Sequence, residues 1–160
     1  MPADIEFKLE GIEELITKNG RLVQEFGPIV QDMMKKSVSN IEKKAKDFVP
    51  VDTGRLKSSI THEIGPGNIP MWAQTGTNVI YARPMEYGTK AFFPPWGAKN
   101  PGLEKWAKAH GIQSGFLVAR GISRHGLRAR RYMQHAFEYS MGAIEDFIEE
   151  AKRKIEGTWA

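Results

Sequence analysis

Apolar and polar side chains alternate along this chain with two different periods. In residues 5–10, IEFKLE, they change places one by one, as in a half-buried strand. Gly11 then opens a helical stretch through Ile12, Leu15 and Ile16. The breakers Asn19-Gly20 and Gly27-Pro28 predict a kink or short break between about residues 19 and 28. From Pro28, a favourable first-turn residue, the period lengthens to three and four. Val30, Met34, Val38, Ile41, Ala45 and Phe48 make one stripe on a helix over 28–48. Lys35, Lys36, Glu42, Lys43 and Lys44 take the opposite side, and Pro50 ends it. A second stripe, Met133, Phe137, Ile144, Ile148, Ala151 and Ile155, predicts a helix over 131–156. There EDFIEEAKRK supplies charge pairs four residues apart.

Between the two helices the periods are short. VDTGRL reads as a turn and SSITHEI (58–64) as a strand. GPGNIP separates that strand from MWAQTGTNVIYA (71–82), a hairpin or long bent strand. ARPMEYGT is a brief helical turn closed by Gly88. KAFFPPWGAKNPG (90–102) has no period and predicts a surface loop. LEKWAKAHG and FLVARGISRHG are short helices, each closed by a glycine. Strands close together in sequence favour antiparallel pairing. The predicted fold is therefore α+β: a small antiparallel β-sheet packed against two long helices, residues 28–48 and 131–156, plus short helices. A single domain over 1–160 is expected, with a loop and short-helix insertion at about 90–127.

Composition narrows the chemistry. The chain has no cysteine, which excludes disulfides and thiol nucleophiles and fits synthesis in a reducing cytoplasm. No apolar run approaches the roughly 20 residues that span a bilayer, so no membrane partner is expected. A net charge of +4, from 23 basic and 19 acidic residues, permits contact with nucleic acid without requiring it. One local excess stands out: Arg120, Arg124, Arg128, Arg130 and Arg131 fall close together.

The triplet Asp52-Thr53-Gly54 also marks aspartic proteases. There the aspartate shares a proton with a symmetry mate, on a loop ending an apolar strand. Here a charged helix and Pro50 precede it, and the large cation Arg55 follows. The plainer reading is a turn: Asp52 and Thr53 as helix-capping or turn residues, Gly54 supplying free backbone angles, with Pro50 and Leu56 on either side. His62, His110, His125 and His135 lack metal-ligand spacing, and Glu149-Glu150 lies on a solvated helix face. No enzyme, metal or cofactor is expected.

Three stretches taken together carry a resemblance. VPVDTGRLKSSI after a long helix, YARPMEYGT after a strand, and RARRYMQHAF opening the last helix resemble a family of neck and tail-completion proteins of long-tailed bacteriophages and prophages. The matching positions are Pro50, Asp52, Thr53, Gly54, Leu56 and Ser59, then Tyr81, Ala82, Glu86, Tyr87, Gly88 and Thr89, then Arg130, Tyr132 and Met133. The pattern departs at Arg131, where the family usually has proline, and in the longer 90–127 insertion. The resemblance implies a virion component that assembles as a hexameric or dodecameric ring at the head–tail junction. It would join other neck, connector and tail proteins and pass DNA through a channel without reading its sequence.

Two candidate surfaces follow from the residues themselves. Phe92, Phe93 and Trp96 stand on a stiff proline-rich loop, either as anchors for a partner or folded back over the core. The cluster Arg120 to Arg131 supports a rival reading, nucleic-acid binding, with Arg120 and Arg124 one helical turn apart.

Overall fold

A computed structural model describes residues 5–8 and 20–158, with side-chain surroundings from residue 24 onward. The expected helical stretch through Ile12, Leu15 and Ile16 lies outside the described residues. The elements are β1 (Ile5–Lys8), α1 (Gly20–Phe48), α2 (Arg55–Ser59), β2 (Thr61–Ile64), β3 (Trp72–Gly76), α3 (Ala82–Tyr87), a 3₁₀ turn (Gly97–Lys99), α4 (Pro101–Ala109), α5 (Gly115–His125) and α6 (Tyr132–Thr158). They divide into two compact units. One comprises residues 1–82 and 132–160, the other residues 83–131. The second unit includes the 90–127 segment.

The first unit is α+β, as expected, with both long helices present. Its three-stranded sheet has the order β1-β3-β2, and both pairings are antiparallel. Ile5 lies opposite Thr75 and Lys8 opposite Trp72, while Thr61 pairs with Gly76 and Ile64 with Ala73. One face of the sheet rests on α1, where Met34, Val38 and Ala73 form a buried cluster flanked by Met33 and Ile64. The buried Thr75 hydroxyl donates to the Val38 carbonyl at 3.1 Å, so this polar side chain facing the helix is satisfied.

Helices α1 and α6 pack along each other. Lys36, just past the middle of α1, reaches Glu150 in the second half of α6, whereas Phe48 at the end of α1 meets Tyr139 in the first half of α6 edge-on at 5.9 Å, so the two run antiparallel. From α1 the buried apolar side chains are Val30, Met34, Val38, Ile41 and Ala45, followed by Val49, with Ser37 buried among them. From α6 the buried side chains are Tyr132, Met133, Ala136, Ser140, Ile144 and Ala151. Each fully buried aliphatic side chain here contributes on the order of 1.5–3 kcal/mol relative to leaving it in water.

Several boundaries differ from the sequence reading, each for a local reason. No break occurs at Gly27-Pro28, and α1 runs through both residues. Pro28 is on the exposed side, so the carbonyl deprived of its usual partner faces water. Gly27 is instead a packing residue, since a Cβ there would stand 2.7 Å from the Asn68 carbonyl oxygen. Phe48 and Ile148 sit at the margins of their stripes and are 43% and 45% exposed, with Val49 filling the place expected for Phe48. Ser58 and Ser59 belong to α2 rather than a strand, their hydroxyls donating back to the Arg55 and Leu56 carbonyls. Strand β3 stops at Gly76 because the Thr77 hydroxyl accepts from the Val79 amide and turns the chain away.

The second unit consists of α3 from Arg83 onward, the aromatic loop, α4 and α5. Asn100 caps α4 through the Leu103 amide at 3.2 Å, with Pro101 at the first helical position. The Glu104 carboxylate of α4 accepts from the Gly115 amide at 2.7 Å and so serves as the cap of α5.

Candidate partner-binding surface

The DTG segment resolves first. Val49 is buried and the chain then bends through Pro50 to Gly54, whose φ of 79° places it in the left-handed region as the N-cap of α2. Leu56 is the buried anchor of that short helix. Asp52 and Thr53 are both exposed, and no side chain caps α2. Of the two roles expected for them, capping does not occur and the turn remains, made by Gly54 through its backbone, its carbonyl accepting from the Ser58 amide at 2.9 Å. An exposed carboxylate before a surface helix has none of the enclosure that proton sharing between paired aspartates needs.

Near α2, the Ser59 and Thr77 hydroxyls lie 2.6 Å apart and open onto a cleft of about 500 Å³. Thr61, Glu63, Gln74 and Asn78 are among the residues that line it. The one carboxylate there, Glu63, accepts the Gln74 amide at 3.0 Å, and a single hydrogen-bonded acid offers no acid–base pair. Among the described residues no group of three or more His, Asp or Glu could hold a metal ion, and no helix is long and apolar enough to cross a membrane.

His62 is engaged structurally. It contacts Glu42 of α1, which also pairs with Lys46, and so ties β2 to the helix. Burial pushes the Glu42 carboxyl upward, but the hydrogen bonds from Lys46 and His62 outweigh it and hold the group below its ordinary value. Glu150 is likewise lowered, chiefly by Lys154 and then by Lys36.

The EYGT stretch has a clear use within the second unit. Gly88 has φ 73°, and a Cβ there would meet the Leu127 carbonyl oxygen at 2.5 Å. Thr89 exchanges two hydrogen bonds with Leu127, its amide donating to the carbonyl and its hydroxyl accepting from the amide, both at 3.0 Å. The Arg130 and Arg131 amides donate to the carbonyls of Met85 and Glu86, satisfying the end of α3. Glu86 is buried, whereas Tyr81 and Tyr87 are exposed. Arg131 itself has φ 52°, an angle closed to proline.

Phe92, Phe93 and Trp96 are 45%, 54% and 43% exposed, while Pro94 between them is buried and pins the loop. Phe93 and Trp96 converge on Phe116 of α5, with ring centroids 6.4 Å and 5.0 Å apart. The loop thus neither waves free nor buries its rings. It forms an aromatic cluster with one face in solvent. Phe116 was missed in the sequence because it lies on a different element, and the only signal was its position at the exposed start of α5.

Arg120, Arg124, Arg128, Arg130 and Arg131 are all exposed. Among the described residues none of their side chains is paired with a carboxylate. Phe116, Arg120 and Arg124 step by four along α5, so the aromatic cluster continues directly into the cationic surface. The structure therefore joins two candidates that the sequence kept apart.

Residues 13–88 match the model of the HK97-gp10-like family, described as "Bacteriophage HK97-gp10, putative tail-component". No curated protein sequence and no solved structure gives a significant match. The matched stretch carries α1, the DTG turn, strands β2 and β3 and the EYGT motif as far as Gly88, and over this stretch the chain is similar to that family of bacteriophage tail components.

Proposed function

We propose that the protein is a structural component of the phage neck, forming a ring at the junction of head and tail that joins the two and leaves a channel for DNA. The observation that carries this reading is the family match over residues 13–88. The aromatic cluster on the inserted unit supports it, since half-exposed rings on a pinned loop bury much area in a partner with little loss of entropy. Asp52 plays a structural part in the turn rather than a catalytic one, and the partners are other neck, connector and tail proteins.

The test is genetic and biochemical together. A phage carrying Phe92→Ser, Phe93→Ser and Trp96→Ser is expected to make heads and tails that fail to join, while the purified variant unfolds at nearly the parent temperature. Normal joining sinks the role of the cluster. A variant that melts far earlier than the parent shows instead that the rings cap the core.

The exposed arginines favour a second reading, a nucleic-acid-binding module. Affinity for DNA that falls steeply with salt would support that reading over the first.

A further inference from the structure

Two exposed faces on this chain carry the same spacing with opposite charge. On α5, Phe116, Arg120 and Arg124 follow one another at intervals of four residues, about 6 Å of helix each. Leu117, 44% exposed, widens the apolar end. On α6, Met141 and Ile148 are exposed at the edge of the buried stripe, two turns apart. Glu145 and Glu149 stand beside them on the solvent side, so Met141, Glu145 and Glu149 repeat the interval of four. Glu138 extends the acidic row. Among these acids, Glu149 has a 3.9 Å approach from Lys152, and Glu138 accepts from the Gln134 side-chain amide at 2.8 Å with His135 at 3.6 Å. Glu145 makes no ion pair among the described residues.

We propose that these faces bind each other between copies of the chain. Helix α5 of one copy lies on α6 of the next, with Phe116 against Met141, Arg120 against Glu145 and Arg124 against Glu149. The contact joins two different patches, so each copy offers one of each and association runs head to tail. Such a contact closes into a ring or continues as a filament, and the proposal rests on the ring reading given above. A second copy accounts for more than a nucleic acid does. Phosphates would satisfy the arginines but leave Phe116, Leu117, Met141, Ile148 and the acidic row uncovered. Interleaving of apolar anchors with complementary charge gives register as well as attraction.

The absence of cysteine makes a direct test clean. Arg120→Cys is placed in one preparation and Glu145→Cys in another carrying a size tag, and the two are mixed and mildly oxidised. The expected product is a mixed disulfide well above the amount of either like-with-like dimer. Mixed and like dimers in statistical proportion would falsify the contact. As a second arm, Arg120→Glu with Arg124→Glu raises the concentration for half-assembly by about tenfold or more. Mixing that variant with Glu145→Arg plus Glu149→Arg restores assembly, because each then presents the charge the other lacks.

If assembly proceeds unchanged by both reversals, a ring survives but this interface is wrong. If the parent protein is monomeric at every concentration and in the particle, the ring reading itself fails and takes the contact with it. If the arginine reversal abolishes salt-sensitive DNA binding yet leaves assembly intact, the cations serve nucleic acid and the proposal is overturned.

Discussion

The two units hold their apolar residues in opposite ways. In the first, Met34, Val38, Ile41, Ile60, Tyr132, Met133 and Ile144 are buried, and the periodic stripes of two long helices supply most of them. In the second, the buried apolar side chains beyond Pro94 are small, Ala107 and Ala119, while Phe92, Phe93, Trp96, Trp106, Phe116 and Leu117 all keep a third or more of their surface in water. Backbone bonds through Thr89, Leu127, Arg130 and Arg131 fix the ends of that unit. One unit is held by what it hides; the other is fixed by hydrogen bonds and leaves its large side chains for something else to cover. Burial is the stronger source of stability, so perturbations of the first unit should weigh most.

The sharpest way to expose that contrast is Ile41→Ala, which removes a fully buried side chain between α1 and its neighbours. Destabilisation of about 3 kcal/mol is expected in chemical unfolding. A cost below about 1 kcal/mol, as at surface positions, would mean that the α1 stripe does not dominate. Gly88→Ala comes next, at about 2 kcal/mol, because the new Cβ meets the Leu127 carbonyl and the backbone angle is positive. Its signature should be regional: faster amide exchange over 83–131 with α1 and α6 still protected. Equal loss of protection in both units would break the comparison.

Glu42→Gln probes the link between sheet and helix, and about 1 kcal/mol is expected at neutral pH. The folded carboxyl is held below its ordinary value, so its contribution is complete above that value and is lost as pH falls through the folded one. The parent should therefore weaken on acidification below about pH 4.5, and the variant should weaken less over the same window. Parallel acid profiles would remove Glu42 from the account. The smallest effect is expected for Asp52→Ala, within about 0.5 kcal/mol, since that side chain is exposed and makes no cap.

How far the fold could be read in advance follows the same division. The core of α1 from Val30 to Ala45 and the whole of α6 were legible because a stripe of spacing three and four has few other structural meanings. The antiparallel pairing of β2 with β3 followed from their closeness in sequence, whereas β1 joins β3 across some sixty-five residues, which no local pattern records. The passage of α1 through Pro28 depended on which side of the helix faced water. Phe48 and Ile148 failed as core positions because periodicity gives the centre of a stripe better than its margins. At the candidate surface, Phe92, Phe93 and Trp96 were visible as aromatics lacking a period. Their meeting with Phe116, and its alignment with Arg120, is a tertiary event between a loop and a helix.

The bonds that hold the start of the inserted unit to its finish have a consequence for lineage. Thr89 meets Leu127, and Met85 and Glu86 meet Arg130 and Arg131, so everything between residues 90 and 126 hangs from a clasp that closes on itself. A segment whose two ends are bonded to each other can be lengthened, trimmed or exchanged while the clasp stays closed. Variation confined inside the clasp would change the exposed aromatic and cationic side chains it carries while the clasp itself stayed the same.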